Sequence, residues 1–407
     1  MSMQADLMNP ELGYSDEGLQ LADPAVYEDA SKPFGLATRL PPVAYRSKVF
    51  SELENEKIWT RSWVVIGLLQ QIPNPGDLLP FTLGFHGIHV QRNRDGTISA
   101  RMNRHQHGAC RFVPVQCRTG TQTKCSITSC NYTRDADAMP AGPDGENSDE
   151  MYKFVGLVPE KLSTVKCETW GPFIFINLDP ACGPLSDQIG NLMPRLSGVF
   201  DGKLAIRAKL WLDFKCNWKT MGASFMETAI PAPGDGDDDG GATFAEGLGG
   251  PHWINAGQAL TPLSALVAER GLKLFWIFPN VLLAAGPTHV TVILLQATSM
   301  GKTLCRFYLL TNADEIGSEA DASAGRFAYD WISILKAIGT SAEAMHDDAI
   351  LHGTPSRPET VAGDLPVETN FASYMLNRFA IRRICTEHHY YWTAPIMDAA
   401  ALMRGVR

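Results

Sequence analysis

Short apolar runs separated by turn residues dominate the first 180 positions of the chain. Helical spacing over 46–63 leads into the apolar run SWVVIG, and the runs GIHV (87–90), TISAR (97–101) and PFIFIN (172–177) follow. Arg94-Asp95-Gly96 stands between two of these runs as a hairpin-type turn. The pattern predicts a small antiparallel β domain or barrel.

Beyond residue 180 the period changes, and helical and strand-like segments both occur. The sheet indicated there is covered by helices, which is an α+β arrangement. The predicted helices cover 187–196, 216–228 and 325–339, and the predicted strands cover 273–278, 290–297 and 305–310. Residues 231–250 are rich in Gly, Pro and Asp without apolar periodicity and are expected to form a loop. We therefore predict a polar arm over 1–40 and two domains over 41–180 and 181–407.

Composition excludes several classes of function. The 407 residues carry 35 Lys and Arg against 44 Asp and Glu, a net charge of -9, with no basic run, so a nucleic acid is not expected as partner. The apolar stretch 272–285 is interrupted by Lys273 and Pro279, too early for a membrane helix. The first twenty residues show neither a secretory signal nor a transit peptide, so a cytoplasmic protein without membrane contact is expected.

The cysteines are clustered rather than numerous. Nine Cys among 407 residues do not indicate a disulfide scaffold. One short segment, however, holds His105, His107, Cys110, Cys117, Cys125 and Cys130. Such a concentration of imidazoles and thiols is typical of metal-binding loops.

The order of the sequence motifs resembles the large subunit of Rieske-type non-haem iron oxygenases, and most closely the betaine, choline and carnitine branch. The resemblance covers about 40–380. It implies a Rieske-like β domain followed by a helix-covered antiparallel-sheet domain of the ring-hydroxylating oxygenase type. It also implies a [2Fe–2S] cluster, a mononuclear Fe(II), a reductase as electron donor and ring-shaped, commonly trimeric, assemblies. The motifs that carry it are RSWVVIG (61–67), IPNPGDLL (72–79), the RDG turn, Asn103-x-His105-x-His107-Gly108, Cys125, Tyr132, WGPFIFINLDP (170–180), NWK (217–219) and FPN (278–280).

The cluster ligands that this family requires are only half present. The family delivers two Cys and two His as Cys-x-His and Cys-x-x-His on two loops. His105 stands where the first Cys belongs, and Thr128 stands where the second His belongs, so that only His107 and Cys125 match. A hydroxyl is a poor ligand for cluster iron. A standard [2Fe–2S] cluster is therefore not expected.

The mononuclear iron site departs from the family pattern in the same way. After NWK the family has an acid–Asn pair, an acid, and two His residues five positions apart, but here Ala223 and Ser224 replace the pair. Ile230 and Asp235 occupy the two His positions, and Ile has no atom that could bind a metal. Glu227 matches the acid that passes electrons between neighbouring subunits, and the carboxylate ligand matches Asp347 or Asp348. A standard Fe(II) site is not expected.

Three further clusters permit a functional and a structural interpretation. His105, His107, Cys125 and Cys130 have the ligand types of tetrahedral zinc, although Cys130 replaces a large aromatic residue of the family. The acidic segment 235–239 lacks the spacing of a calcium loop, and His252 after it is expected at the surface. The aromatic segment 388–392 could cage a quaternary ammonium, but packing or subunit contact is the preferred interpretation.

The sequence therefore indicates a catalytically degenerate subunit of a Rieske-type oxygenase system. Framework motifs remain while ligand positions in both metal centres do not, so the chain is expected to be inactive alone and to assemble with an active paralogue. Two alternatives stay open: an oxidoreductase or zinc protein with rebuilt metal sites, and a non-catalytic ligand-binding protein.

Overall fold

A computed structural model describes two compact units of this chain. One unit contains the described residues of Met1–Ile58 and Ser186–Arg407, and the other those of Trp59–Leu185. The described residues are 18–32, 39–84, 86–103, 115–116, 122–123, 134–135, 137–138, 140–141, 162–190, 192–196, 198–229, 272–314, 317–351 and 371–385. The predicted domain limits at 40 and 180 stay predictions.

The unit Trp59–Leu185 contains a six-stranded antiparallel sheet. Its spatial order is β1-β9-β8-β4-β3-β2. Strands β1 and β9 are buried along their whole length, and their apolar residues continue without alternation, as in FIFIN of β9. The RDG turn is confirmed: Gly96 adopts a φ of +85° between β3 and β4, a backbone conformation that favours glycine. The strands are β1 (Val64–Leu68), β2 (Leu78–Leu83), β3 (His86–Arg92), β4 (Ile98–Met102), β8 (Thr164–Trp170) and β9 (Phe173–Asn177).

A separate three-stranded sheet has the order β6-β5-β7. It consists of the two-residue strands β5 (Val115–Gln116), β6 (Gln122–Thr123) and β7 (Arg134–Asp135). The first predicted cluster loop, 103–108, precedes β5 in the chain, and the second, 125–130, falls between β6 and β7; residues 104–108 and 125–130 lie outside the described residues. This unit ends at Leu185, the first residue of the short helix α3 (Leu185–Ile189), so the rest of the helix belongs to the other unit.

The second unit is built on a five-stranded antiparallel sheet of order β10-β14-β13-β12-β11. FPN lies at the turn between β11 and β12, where the Trp276 indole N–H donates to the Pro279 carbonyl over 3.1 Å. The motif therefore forms the turn and helps to pack it against β11. The strands are β10 (Leu204–Phe214), β11 (Lys273–Ile277), β12 (Val281–Ala285), β13 (Val290–Ser299) and β14 (Lys302–Asn312).

Two helices, α4 (Trp218–Ala229) and α5 (Ser318–Leu351), pack on the same face of this sheet. Glycines permit the close approach. A Cβ at Gly222 of α4 would lie 2.4 Å from the Trp276 ring, and a Cβ at Gly339 of α5 would lie 2.0 Å from the Phe214 ring. The alternation of β-strand side chains places Trp276 and Phe214 on one face of the sheet.

The N-terminal segment folds back onto this unit. It contains α1 (Val43–Arg46) and α2 (Lys48–Glu54), and the Ser47 hydroxyl caps α2 by accepting from the Phe50 N–H over 3.1 Å. The C-terminal helix α6 (Phe371–Cys385) joins the same region, because Lys57 Nζ donates to the Ile384 carbonyl over 2.6 Å. None of the helices in the described ranges combines the length and apolar character that a membrane crossing requires.

The structure corrects several element boundaries. The helix predicted over 325–339 extends over 34 residues, because alanines continue the helical pattern in both directions. The helix predicted over 187–196 is only the five-residue α3 followed by a 3₁₀ turn at Pro194–Leu196. Gly190 directly follows the last residue of α3, and Pro194 lacks the backbone donor that a continued helix would use. The elements that were not predicted are strands β2, β5, β6, β7, β8, β10 and β12 and helix α6.

Replacing Gly339 with alanine is expected to destabilise the protein by about 1–3 kcal/mol, since the new methyl group must displace the Phe214 ring. Chemical denaturation followed by circular dichroism measures this loss. Gly325→Ala in the same helix is the matched control, because nothing lies within 4 Å of its Cβ and alanine favours helix there. Equal effects of the two substitutions would contradict the close approach.

Candidate functional site

The NWK motif forms the first turn of α4. The Asn217 side-chain oxygen accepts from the Lys219 N–H over 3.0 Å, which caps the helix. The Asn217 amide nitrogen donates to the Met300 carbonyl over 2.8 Å and thereby ties the cap to the end of β13. The asparagine thus fixes both the start of α4 and its position against the sheet.

Lys219 and Glu54 form a buried ion pair. Lys219 Nζ lies 2.6 Å from Glu54 Oε1, and the two side chains are 0% and 5% exposed. The Trp218 indole N–H points to the other carboxylate oxygen over 3.5 Å. Glu54 is the last residue of α2, so the pair links the N-terminal segment to α4.

Aromatic rings surround the Lys219 ammonium. Its Nζ lies 5.1 Å from the centre of the Tyr45 ring, 5.2 Å from that of Phe50 and 5.5 Å from that of Trp218. These distances are within the range of cation–π attraction. The rings supply favourable electrostatics in a place from which water is excluded.

Burial governs the ionisation of this pair. Desolvation raises the pKa of the Glu54 carboxyl, although Lys219 and Trp218 oppose that change. Desolvation also lowers the pKa of the Lys219 ammonium, and the attraction of Glu54 opposes this change. Each charge is costly to bury, so each depends on the presence of the other.

His346 of α5 is 1% exposed and lies within electrostatic range of Lys219. Burial, with a smaller contribution from the positive charge of Lys219, lowers the pKa of His346 to about 4. The imidazole is therefore neutral at physiological pH. The cluster of Glu54, Lys219 and His346 thus joins α2, α4 and α5 with one balanced pair of charges.

The sequence-predicted iron positions are only partly within the described structure. Ala223 and Ser224, at the family's acid–Asn positions, are buried in α4, with 3% and 2% exposure. Glu227 lies in the last turn of α4, and its side chain is outside the description. Ile230 and Asp235 follow the last described residue of α4 and also lie outside.

Asp347 and Asp348 occupy the C-terminal end of α5. Asp347 is exposed and Asp348 is half-buried, whereas His346 beside them is buried. Both carboxylates are therefore accessible at the end of a helix that packs against α4. Their helix lies on the same side of the sheet as α4, and their role as third ligand stays a prediction.

The predicted cluster loops begin directly after β4. Asn103, the first residue of the motif, is 1% exposed, and its N–H donates to the Gly87 carbonyl of β3 over 2.8 Å. His105, His107, Cys125, Thr128 and Cys130 lie outside the described residues, so their predicted roles are untested. The acidic segment 235–239, His252 and the aromatic segment 388–392 also lie outside.

The residue types at the sequence-predicted metal positions differ from the donors that the resembled oxygenases use. At the cluster positions, only one thiolate and one imidazole match a ligand set of two thiolates and two imidazoles. At the iron position Ile230 offers a hydrocarbon side chain. Within the described ranges, no group of three or more His, Cys, Asp or Glu side chains is placed to hold a metal ion.

Sequence reasoning missed Glu54 and His346. A glutamate at the end of an amphipathic helix is normally solvent-exposed, so nothing marked Glu54 as buried. His346 directly precedes Asp347 and Asp348, and the prediction of a carboxylate iron ligand in this segment did not include the histidine. The apolar positions 342, 349 and 350, which share its helix face, are the signal that could have revealed its burial.

Comparisons with known proteins identify relatives over about half of the chain. The α subunit of benzene 1,2-dioxygenase from Pseudomonas putida is 25% identical over 195 residues, 46% of this chain and 42% of that protein. The large oxygenase component of salicylate 5-hydroxylase from Ralstonia sp is 26% identical over 221 residues, 52% of both proteins. The chain thus spans about half the length of the curated relatives it matches. No protein-family model matches it.

Solved structures share the fold over almost the whole chain. A quaternary ammonium Rieske monooxygenase superposes with a TM-score of 0.58 at 16% identity, covering 87% of this chain and 98% of that one. Naphthalene 1,2-dioxygenase superposes with a TM-score of 0.59 at 13% identity, covering 95% of this chain and 99% of that one. The predicted α+β fold class, a Rieske-like β domain with a helix-covered antiparallel sheet, is confirmed.

Replacing Lys219 with methionine is expected to lower the free energy of unfolding by about 3–5 kcal/mol, because the Glu54 carboxylate would be buried without its partner. The paired change Lys219→Met with Glu54→Leu should recover most of this loss. Urea denaturation measures both. Lys48→Met removes one partner of an exposed pair, Lys48–Glu52, with side chains 56% and 49% exposed, and should cost less than about 1 kcal/mol. Similar losses for Lys219→Met and Lys48→Met would refute the argument.

Acidification is expected to destabilise the fold through His346. Its pKa is about 4 in the folded chain against an ordinary value of 6.5, so between these pH values the unfolded chain binds a proton that the folded chain does not. The free energy of unfolding therefore keeps the full contribution of the neutral His346 above pH 6.5, and this contribution falls as the pH drops toward 4. His346→Gln should flatten this pH dependence by about 1 kcal/mol per pH unit in urea denaturation between pH 6 and 4.5. An unchanged slope would show that His346 titrates normally.

Proposed function

We propose that this chain, whose homologues and structural neighbours are α subunits of Rieske non-haem iron oxygenases, is a catalytically degenerate member of such a system. It assembles in the cytoplasm with an active paralogue into a ring-shaped hetero-oligomer of the trimer type. The paralogue receives electrons from a reductase, and this chain contributes interface and structure rather than turnover.

The observation that carries the proposal is the contrast between scaffold and ligand positions. The first turn of α4, which contains Lys219, has a side-chain cap, a buried ion pair and aromatic surroundings. A few residues further along, Ile230 replaces a metal-binding histidine, and Thr128 replaces one in the cluster loops. Substitutions that spare the costly buried charges but remove the metal donors are expected of a chain that keeps its fold for assembly.

The loss of both centres favours an assembly partner over a single-centre enzyme. A subunit that lacked only its cluster could react with electrons supplied by a neighbour. A subunit with Ile230 at the iron site and His105 and Thr128 at the cluster positions can neither relay electrons nor activate oxygen in the family's manner. Glu227, which matches the acid at the boundary between subunits, is consistent with a surviving interface role.

A zinc site is the second candidate, and one observation favours it. His105, His107, Cys125 and Cys130 supply the two nitrogens and two sulfurs of a common structural zinc site. Such a site would stabilise the first domain without redox chemistry. It would be compatible with assembly and would differ from the first proposal only in giving the cluster loops a bound zinc ion.

The decisive experiment purifies the tagged chain from its native source and measures co-purifying chains, iron, zinc and acid-labile sulfide together. We expect a mixed assembly containing a second, ligand-complete oxygenase chain, and iron and sulfide only in proportion to that chain. Stoichiometric zinc would support the second candidate, in which the cluster loops bind zinc. Turnover by this chain alone with a reductase, or a full complement of iron and sulfide in the isolated chain, would refute the proposal.

A ligand-restoring variant provides the control. His105→Cys together with Thr128→His recreates Cys-x-His and Cys-x-x-His, so reconstitution with iron and sulfide should give the visible absorption of a Rieske cluster. The unaltered chain and each single variant should remain colourless under the same treatment. A coloured unaltered chain would show that its present residues suffice for a cluster.

A further inference from the structure

The sheet of the second unit has an exposed edge at β10. Among the strands that the structure describes, β10 pairs with β14 alone and forms the end of the order β10-β14-β13-β12-β11. β10 is eleven residues long, and its burial is only intermediate over most of its length. Long sheet edges pair readily with further strands unless the sequence blocks them.

The regularly paired part of β10 is centred on one residue. Ala208 to Phe214 pair with β14 without interruption, from Leu309 to Thr303, and a register shift between Ile206 and Ala208 ends the regular stretch. The middle residue of these seven is Trp211. Its ring lies beneath the Arg306 guanidinium, 4.8 Å from the ring centre, which holds it against its own sheet.

The side chains on either side of Trp211 are arranged in complementary pairs. Lys209 and Asp213 are both exposed and stand two positions before and two positions after Trp211 on the same face. Leu210 and Leu212 flank Trp211 on the opposite face, and Leu210 is 37% exposed. Leu210 is one of four large hydrophobic residues exposed in the described structure.

We propose that β10 pairs with β10 of a second copy of this chain, antiparallel about a two-fold axis at Trp211. In this register Lys209 of each copy lies opposite Asp213 of the other, and Leu210 lies opposite Leu212. The two sheets become continuous, and the backbone groups at both edges find hydrogen-bond partners. The interface is isologous, since each copy uses the same surface.

Self-complementary charge favours a second copy over an unrelated strand. A lysine in the middle of an edge strand normally prevents edge-to-edge pairing, because two copies would bring like charges together. Here Asp213 occupies the mirror position of Lys209, so self-pairing joins opposite charges twice. Opposite charges directly across two strands stabilise their pairing, whereas like charges destabilise it.

The neighbouring register is less favourable because of Arg207. A two-fold axis at Leu210 would place Asp213 opposite Arg207, which lies at the register shift. The Arg207 guanidinium already donates to Thr311 Oγ1 over 3.0 Å and to the Asn312 carbonyl over 3.2 Å. Its side chain therefore bonds along its own sheet, and the register centred on Trp211 remains the regular one.

This contact requires no paralogue and is separate from the proposed hetero-oligomeric ring. It is therefore tested on the full-length chain alone, by sedimentation velocity across a dilution series. We expect an assembly of even copy number. Lys209→Asp or Asp213→Lys alone should raise its dissociation constant roughly tenfold or more, because each places like charges opposite each other twice. The swap of both residues should restore the assembly.

Two controls keep the result interpretable. Leu210→Arg should disrupt the assembly, whereas Leu19→Arg, at a leucine with 44% exposure away from β10, should not. Circular dichroism and the melting temperature verify that each variant is folded. An odd copy number, a monomer at every concentration, or folded single variants that assemble like the unaltered chain would overturn the proposal, as would a swap that fails to restore assembly. None of these outcomes affects the proposed degeneracy of the metal sites.

Discussion

The buried pair of Lys219 and Glu54 is the interaction on which the described architecture of the larger unit depends. The two residues are 165 positions apart in the chain, yet their charged atoms lie 2.6 Å apart and away from water. Neither charge is tolerable in that place without the other. The N-terminal helices must therefore dock against α4, and the aromatic rings of Tyr45 and Phe50 come with them. Burial, and to a smaller extent the positive charge of Lys219, lowers the pKa of His346, so the imidazole is neutral at physiological pH.

The Lys219–Glu54 pair lies at the first turn of α4, whereas Glu227 and Ile230, at positions proposed to be functional, lie at or beyond its last turn. Asn217 fixes the cap of the first turn. Stability at the first end arises from burial, capping and ion pairing, none of which needs a metal. Substitutions at the other end can therefore remove metal donors without withdrawing the interactions that hold α4 against the sheet.

Much of the fold follows from the sequence because apolar periodicity reports burial directly. The continuous run of β9 and the RDG turn define strands and hairpins without tertiary information. By contrast, β10 was not predicted although its sequence carries the signal of a half-buried strand. Its even positions from Leu204 to Phe214 are all apolar, and the charged residues stand at odd positions.

The site was less predictable than the fold for a physical reason. Motif spacing shows which ligand types are present at His105, Thr128 and Ile230, since coordination chemistry depends on residue type. It cannot show that Glu54 is buried, because burial of a charge depends on a partner distant in sequence. The sequence thus shows which residue types stand at the proposed metal positions, but not which distant residue balances the charge of Lys219.

The described charge of α4 supports the proposal that this helix has a structural role. Of the α4 side chains that the structure describes, Lys219 alone is charged, and its charge is balanced by Glu54. Ala223 and Ser224 fill the family's acid–Asn positions and are buried as neutral groups, so they carry no cost of charge desolvation. In a catalytic helix, the activity that buried charged groups provide offsets their desolvation. In the described part of α4, the buried charge is that of Lys219, which is paired with Glu54 of α2.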